Sequence, residues 1–547
     1  MTQSVDNKND ETRFHNIKPL PHAKGFPMNL RPSRPDTWGK EALVSVYGSK
    51  RVDGIMNSLH RSTMDYDLMH DDLLKYNRKH VYRIEHDSYL LALESVRQDL
   101  RKKAKIIPYT MGAVPALPDF PGAKSPGLPY KNQGFVSKRE CIDGGKLREI
   151  NRDWQNISRR KMVHLPDVCL FARAQIAREG KEKIRATWGY PLSVYCEEGR
   201  FFYPFLDFIK SRDHTLPIAY GIEMAHGGME YINTLLQRYP NAKYVCTDWK
   251  SFDKTIPPWL IRDAFSIIAE LFDFGHVLDV EGLIWDVDPI LSMRRWKRMV
   301  DYFVQTPVRT CKGDRYLVTG GIPSGSCWTN IIDSIINIIV TRWIVYETTG
   351  CFPADEIYLG DDAVLIIASG KVSLSDMADL AEVNFGMNLS VEKSYVTTNT
   401  NNVHFLGYFN LGGYPFKNQD FLIASFIHPE HTRKTGVEAC AAAVGQLWSG
   451  FDPLAAYCWY KVILYIADLD QVALSDVVAH IRLNSHRHKY LAHVGIDVKT
   501  ITLPEPVNCK ILEVLPKPCR FVPPIRNWSY RLMWSEILED EFYSFHP

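Results

Sequence analysis

The chain has 547 residues, 45% of them hydrophobic and 23% charged, a balance that excludes a disordered polypeptide. Its 65 Lys and Arg against 63 Asp and Glu leave a net charge of +2, which excludes a uniformly basic nucleic-acid coat but not a local basic channel. Its 11 cysteines, an odd number with no Cys-x-x-Cys pair, support neither a disulfide framework nor a zinc ribbon and point to a reducing compartment.

Residues 1–35 are polar and proline-bearing, without the apolar run of a signal peptide, and read as an arm or an ordered wrap. From Val44 to Lys103 apolar residues recur near the helical period. Residues 107–136 then mix Pro108, Pro115, Pro118, Pro121, Pro126 and Pro129 with glycines, which is loop chemistry. A basic block follows, with 13 Lys/Arg against 7 Asp/Glu between Lys138 and Arg185. A second basic segment runs from Arg294 to Arg315, and the two are expected to line one channel.

The middle of the chain alternates strand and helix. Tyr244 to Asp248 predicts a strand ending in a carboxylate, and Trp259 to Phe272 a helix. A Gly-Gly-Ile-Pro-Ser-Gly loop precedes a long helix from Thr329 to Tyr346. Its apolar stretch, Ile331 to Tyr346, is interrupted by Asp333, Asn337 and Arg342, so it reads as buried and not membrane-spanning. Glu356 to Ile367 predicts a hairpin turning at Gly360-Asp361-Asp362, Leu374 to Phe385 a helix, and His404 to Phe409 a strand. Helices recur after Thr435. The C-terminal stretch carries Trp528, Tyr530, Trp534, Phe542, Tyr543 and Phe545, which could pack as a helix face or stack an initiating nucleotide.

Three carboxylates at strand ends carry the chemistry: Asp248, Asp361 and Asp362. Like charges this close raise one another's pKa, a cost that divalent cations relieve. Hard oxygen ligands suit Mg²⁺, with Mn²⁺ as the alternative. Asp248 also opens Asp248-Trp-Lys-Ser-Phe-Asp253, and between it and the hairpin lies Gly321-Ile-Pro-Ser-Gly-Ser-Cys-Trp-Thr329 with Asp333-Ser334 and Asn337.

In this order the motifs resemble those of viral RNA-dependent RNA polymerases. The detail is most similar to double-stranded RNA viruses of the partitivirus group, with picobirnaviruses as near relatives. Ser125-Pro126-Gly127-Leu-Pro-Tyr130 resembles the family's template-entry motif. Lys181-Glu-Lys183-Ile-Arg185 resembles its fingertip motif, and Glu392-Lys393-Ser394 its palm lysine.

The resemblance implies an α+β fold: a closed right hand of fingers, palm and thumb, with an antiparallel palm sheet. The expected division is an N-terminal extension over 1–75, fingers over 76–240 and 276–317, palm over 241–275 and 318–410, and thumb with C-terminal tail over 411–547. Asp248, Asp361 and Asp362 would serve the metals. Asp253 would meet the 2′-hydroxyl of the incoming nucleotide, with Thr329, Asp333 and Asn337 on the helix face toward the sugar. Lys183 and Arg185, with Lys181 in phase, would hold the triphosphate. Ser324 and Gly325 would form a flexible loop close to template or primer, Ser125, Pro126 and Gly127 would touch the template, and Lys393 would be a general acid.

Asp253 and Asp333 near one hydroxyl cannot both ionise cheaply, so one holds a proton or a Lys, Ser or Thr intervenes. The implied substrates are ribonucleoside triphosphates and single- and double-stranded RNA, and the implied partner is a viral capsid protein, with no membrane. The implied setting is the virion interior or host cytoplasm, with initiation independent of a primer. A reverse transcriptase is the nearest rival, but the family carries an aromatic residue directly before Xaa-Asp-Asp and a bulky residue where Asp253 stands.

Overall fold

The computed structural model describes residues 16–28, 35–102, 104–222, 224–448 and 453–483. The C-terminal aromatics lie outside them, as do residues 1–15 and 29–34 of the expected N-terminal arm.

At the centre is a four-stranded antiparallel sheet in the order Asp355–Leu359, Asp362–Ile367, Lys243–Thr247, Tyr395–Thr397. Its strands are apolar on both faces because both are covered. Val245, Ala363, Leu365 and Ile367 join the main core, in which the long helix Thr329–Thr349 is buried along most of its length. Tyr244, Cys246, Val364 and Ile366 face the other way, onto the helix Met229–Gln237. This is strand periodicity read by two layers at once. The charge that interrupts the apolar run of the long helix is neutralised inside the core: Arg342, fully buried, donates to Glu356 at 2.8 Å and pairs with Asp99.

A second sheet has five strands in the order Ile17–Leu20, Arg315–Thr319, Gln305–Arg309, Val168–Ala174, Ile184–Gly189. The N-terminal segment therefore completes a sheet edge, as a wrap should. The helical text of residues 44–103 is divided. Gly48 and the short strand Leu59–Arg61 break it, and the helices Thr37–Tyr47 and Ser49–Ser58 pack with the helices of residues 419–481 in a separate apolar core. Helix Asp87–Asp99 packs instead in the main core.

The strand expected over His404–Phe409 is two strands. Leu406 and Gly407 take left-handed φ of 51° and 82°, reversing the chain between His404–Phe405 and Tyr408–Leu411. The two basic segments meet where the helices Lys146–Ser158 and Pro289–Val304 pack. Arg160 of the first and Arg294, Lys297 and Arg298 of the second border one cavity of about 750 Å³, lined also by Asp301, while Arg309 and Arg315 pair with Asp167. Among the described residues no helix is long and apolar enough to cross a membrane.

Candidate active site

The central sheet delivers the acidic residues by register. Thr247 pairs with Ala363, so one step further the antiparallel ladder sets Asp248 beside Asp362. Directly opposed side chains in such a ladder stand about 4.5–5.5 Å apart at Cβ. Gly360, at φ +63°, makes the tight reversal that presents Asp361. The Asp248 backbone is fixed from the other side: its N–H donates to Ser394 Oγ at 2.9 Å, and its carbonyl accepts from Ser390 N–H at 2.9 Å. This places Lys393 Nζ 3.7 Å from Asp248 Oδ1, with its side chain 71% exposed.

Crowding shapes the charges. The Asp362 carboxyl is pushed up to about 7 by burial, then by Asp361 and Asp248. Asp361 is raised by desolvation and by Asp248, against the pull of Arg185. Leu406, at the reversal that splits the expected strand, turns its N–H toward the Asp362 carboxylate.

Asp253 begins a short helix after Ser251, whose left-handed φ of 55° swings the chain out of the strand direction. Burial raises its carboxyl, opposed by Lys254 and Arg185. Asp333 stands behind it in the long helix. Its Oδ1 is buried with no hydrogen-bond partner, and burial, then Asp253 and Asp361, hold its pKa well above the carboxylate range. Burial and the neighbouring carboxylates thus favour the protonated form of Asp333, which eases the clash of two carboxylates. Tyr76 is buried close to both, its hydroxyl donating to Ile322 O at 3.2 Å, and their charges together with burial raise its pKa.

Of the three expected phosphate-binding cations, two reach the site. Arg185 lies near Asp253 and Asp361. Lys183 lies near Arg185, Lys393 and Asp248, and its pKa is lowered by desolvation and then by the neighbouring cations. Lys181 is exposed just after Gly180, its N–H donating to Arg178 O at 3.0 Å.

Several assignments are corrected by where hydrogen bonds go. Asn337 is fully buried, accepts from Trp249 Nε1 at 3.2 Å and donates to the carbonyls of Gly360 and Asp361 at 3.0 Å. Both of its donor hydrogens are thus spent on the turn that carries Asp361. Thr329 donates its hydroxyl to Pro323 O at 2.8 Å, within its own turn.

The loop before it is anchored, not flexible. Ser324 Oγ accepts from Trp188 N–H at 3.1 Å, and Ser326 donates to the buried Glu198 at 2.8 Å. Gly325 lies so close to the Trp188 carbonyl that no Cβ fits. Pro126 and Gly127 are buried too: Pro126 O accepts from Leu192 N–H at 2.8 Å, and a Cβ on Gly127 would meet Tyr190 O at 2.8 Å. Of the three residues expected to touch the template only Ser125 keeps partial exposure, and its hydroxyl accepts from Gly127 N–H at 3.3 Å.

Sequence reading missed Tyr76, Asp72, Lys254 and Glu198. Asp72 accepts from Ala186 N–H at 2.9 Å and Lys254 Nζ at 2.6 Å, so it joins the Arg185 strand to the Asp253 turn. No local pattern marks these residues, since their partners are more than a hundred positions away. Among the described residues no three acidic, imidazole or thiol side chains converge on one point. The adjacent carboxylates of Asp248, Asp361 and Asp362 still fit Mg²⁺, which is usually held by one or two carboxylates with substrate phosphates and water.

A family model described as viral RNA-dependent RNA polymerase matches residues 32–412. The RNA-directed RNA polymerase of Cryptosporidium parvum virus 1 is 27% identical over 287 residues, covering 51% of this chain and 50% of the relative. That of Atkinsonella hypoxylon virus is 26% identical, covering 50% of this chain and 46% of the relative. The chain thus spans about half the length of the curated relatives it matches. The crystal structure of a human picobirnavirus RNA-dependent RNA polymerase superposes with a TM-score of 0.54 at 15% identity, over 82% of this chain and 85% of the other. At that identity the likeness is one of fold: α+β, a right hand around an antiparallel sheet.

Proposed function

The chain belongs to the family of viral RNA-dependent RNA polymerases, and from that premise we propose that it adds ribonucleotides to RNA on an RNA template, replicating and transcribing a double-stranded RNA genome without need of a primer. The observation that carries this reading is the gathering of Asp248, Asp361 and Asp362 beside Arg185, Lys183 and Asp253.

The 3′-hydroxyl oxygen of the growing strand forms a bond to the α-phosphorus of the incoming nucleotide as the α–β phosphoanhydride bond breaks. Divalent metal, Mg²⁺ first and Mn²⁺ as alternative, supplies charge neutralisation and orients hydroxyl and triphosphate when Asp248, Asp361 and Asp362 hold it. Arg185 and Lys183 grip the triphosphate oxygens, Arg185 as a fork and Lys183 as a point charge. Asp253 accepts a hydrogen bond from the ribose 2′-hydroxyl, the group that separates RNA from DNA precursors. The hydroxyl proton passes to water, and exposed Lys393 gives a proton to the departing pyrophosphate.

The palm comprises 241–275 and 318–410, flanked by fingers over 76–240 and 276–317. The thumb begins near 411, with the helices of residues 37–58 docked on it. A capsid protein is the proposed partner, in the virion and host cytoplasm.

The test is incorporation of labelled ribonucleotides on a defined RNA template, with and without Mg²⁺ and with and without primer. Product is expected from the wild-type chain in Mg²⁺ and none from Asp248→Ala or Asp361→Ala at unchanged RNA affinity. Preference for deoxyribonucleotides, or wild-type turnover by either variant, would overturn the reading.

A further inference from the structure

Tyr76 follows the helix Tyr66–Leu74, in a part of the chain that carries none of the motifs. It is 1% exposed, and every side of it touches something the site uses. Its ring packs on Trp188 with centroids 5.1 Å apart, and Trp188 belongs to the strand that carries Arg185. Its hydroxyl donates to Ile322 O at 3.2 Å, while Ile322 N–H donates to Asp253 O at 2.7 Å. The ring also fills the space beside Gly321, where a Cβ would meet it at 2.5 Å and where φ is +69°. One turn back, Asp72 ties the Arg185 strand to Lys254.

The end of this helix therefore sets the distance between a triphosphate-binding cation and a sugar-binding carboxylate. The Tyr76 hydroxyl gives its proton to Ile322 O, so its hold on the Asp253 turn runs through the Ile322 peptide.

We infer that Tyr76 is a positioning residue for nucleotide selection: its hydroxyl holds the Ile322 peptide, which in turn holds the Asp253 main chain so that the carboxylate faces the 2′-hydroxyl of the incoming ribonucleotide. The inference rests on the reading of Asp253 as the sugar contact and adds to it the group that aims it. Without that fixed peptide the turn can shift the carboxylate it carries, and only some placements face the sugar. Tyr76 touches no reacting atom, so its loss acts on discrimination more than on chemistry.

The experiment compares Tyr76→Phe, Asp253→Asn and the double variant with the wild-type chain in primed elongation. The readout is kcat/KM for a ribonucleotide divided by that for its 2′-deoxy analogue. Tyr76→Phe keeps the ring against Trp188 and Gly321 and removes only the hydroxyl. We expect it to lower the selectivity ratio by about tenfold, the scale of one buried hydrogen bond, with kcat for ribonucleotides changed little. In the double variant the loss should not exceed that of Asp253→Asn, because both act through one carboxylate.

Tyr76→His keeps a flat ring with an N–H donor and is expected to recover part of the selectivity. It also keeps the question open to measurement should the Phe variant prove poorly soluble. Selectivity retained by Tyr76→Phe but lost by Asp253→Asn would overturn the role of Tyr76 alone. Selectivity retained by Asp253→Asn would overturn the sugar reading and this inference together. Equal losses from Phe and His, with additive effects in the double variant, would leave Tyr76 as packing and overturn the inference.

Discussion

The amide nitrogen of Asn337 lies 3.0 Å from the carbonyl oxygen of Asp361, and its amide oxygen receives the indole N–H of Trp249, the neighbour of Asp248, at 3.2 Å. One buried side chain thus spans both halves of the acidic site. Asn337→Leu keeps the approximate size and removes every bond. Each buried group left unpaired costs about 1–3 kcal/mol, and a shift near 1 Å in the reacting geometry costs about a hundredfold in rate. A lowered unfolding midpoint together with a roughly hundredfold drop in primed elongation is expected. Elongation at the wild-type rate would show that the turn holds itself.

Lys183 and Arg185 lie beside the acidic residues, whereas Lys181 is exposed. Replacing Arg185 or Lys183 by Ala should raise the KM for ribonucleotides by about ten- to a hundredfold, the range for a lost charge-assisted hydrogen bond. Lys181→Ala should leave KM alone. Filter binding of template RNA provides the control: a collapse of RNA affinity with unchanged KM would move these residues to the template path.

Gly325 is required by contact, not by mobility, since its Cα faces the Trp188 carbonyl. Gly325→Ala must push the loop off the strand that carries Arg185. Such overpacking costs about 1–3 kcal/mol. Thermal unfolding should register the loss, and primed elongation should fall with it. An unchanged midpoint would mean that the loop gives way freely.

Glu198, buried beneath the same loop, accepts from Ser326 Oγ at 2.8 Å and Cys327 N–H at 2.9 Å. Burial pushes its carboxyl up to about 8, from an ordinary 4.5. Between those values the folded chain holds a proton that the unfolded chain has released, so stability falls as pH rises across that window. Glu198→Gln carries no such proton. Denaturant titrations at pH 5 and pH 8 should find the variant gaining on the wild-type chain at the higher pH, and a constant difference would contradict a protonated Glu198.

The acidic strand end at Asp248, the Gly360-Asp361-Asp362 hairpin and the helix from Thr329 are legible in the sequence because each is a local pattern. Period-two apolar text bounded by a turn, or a buried helical run, declares itself within about ten residues. The ordering of these motifs was enough to indicate the family and the fold. The same text did not show which partners Asn337, Thr329 and Gly325 would meet. Residue type tells which bonds a side chain can make, whereas its partner is chosen by whatever the fold brings alongside.

Asn337 meets Asp361 only because the long helix lies under the hairpin, and Gly325 meets Trp188 only because the loop rests on another sheet. Tyr76 and Asp72 are separated from Asp253 and Lys254 by more than 170 positions, so no window of sequence contains both. Charge state is settled at the same level. Asp333 and Asp253 are both aspartates with one intrinsic pKa, and it is burial and mutual proximity that favour the proton on Asp333. Sequence by itself determined the chemistry on offer and the order of its parts. Tertiary structure decided which groups face the substrate and which hold them there, because contact and desolvation are properties of packing between distant segments.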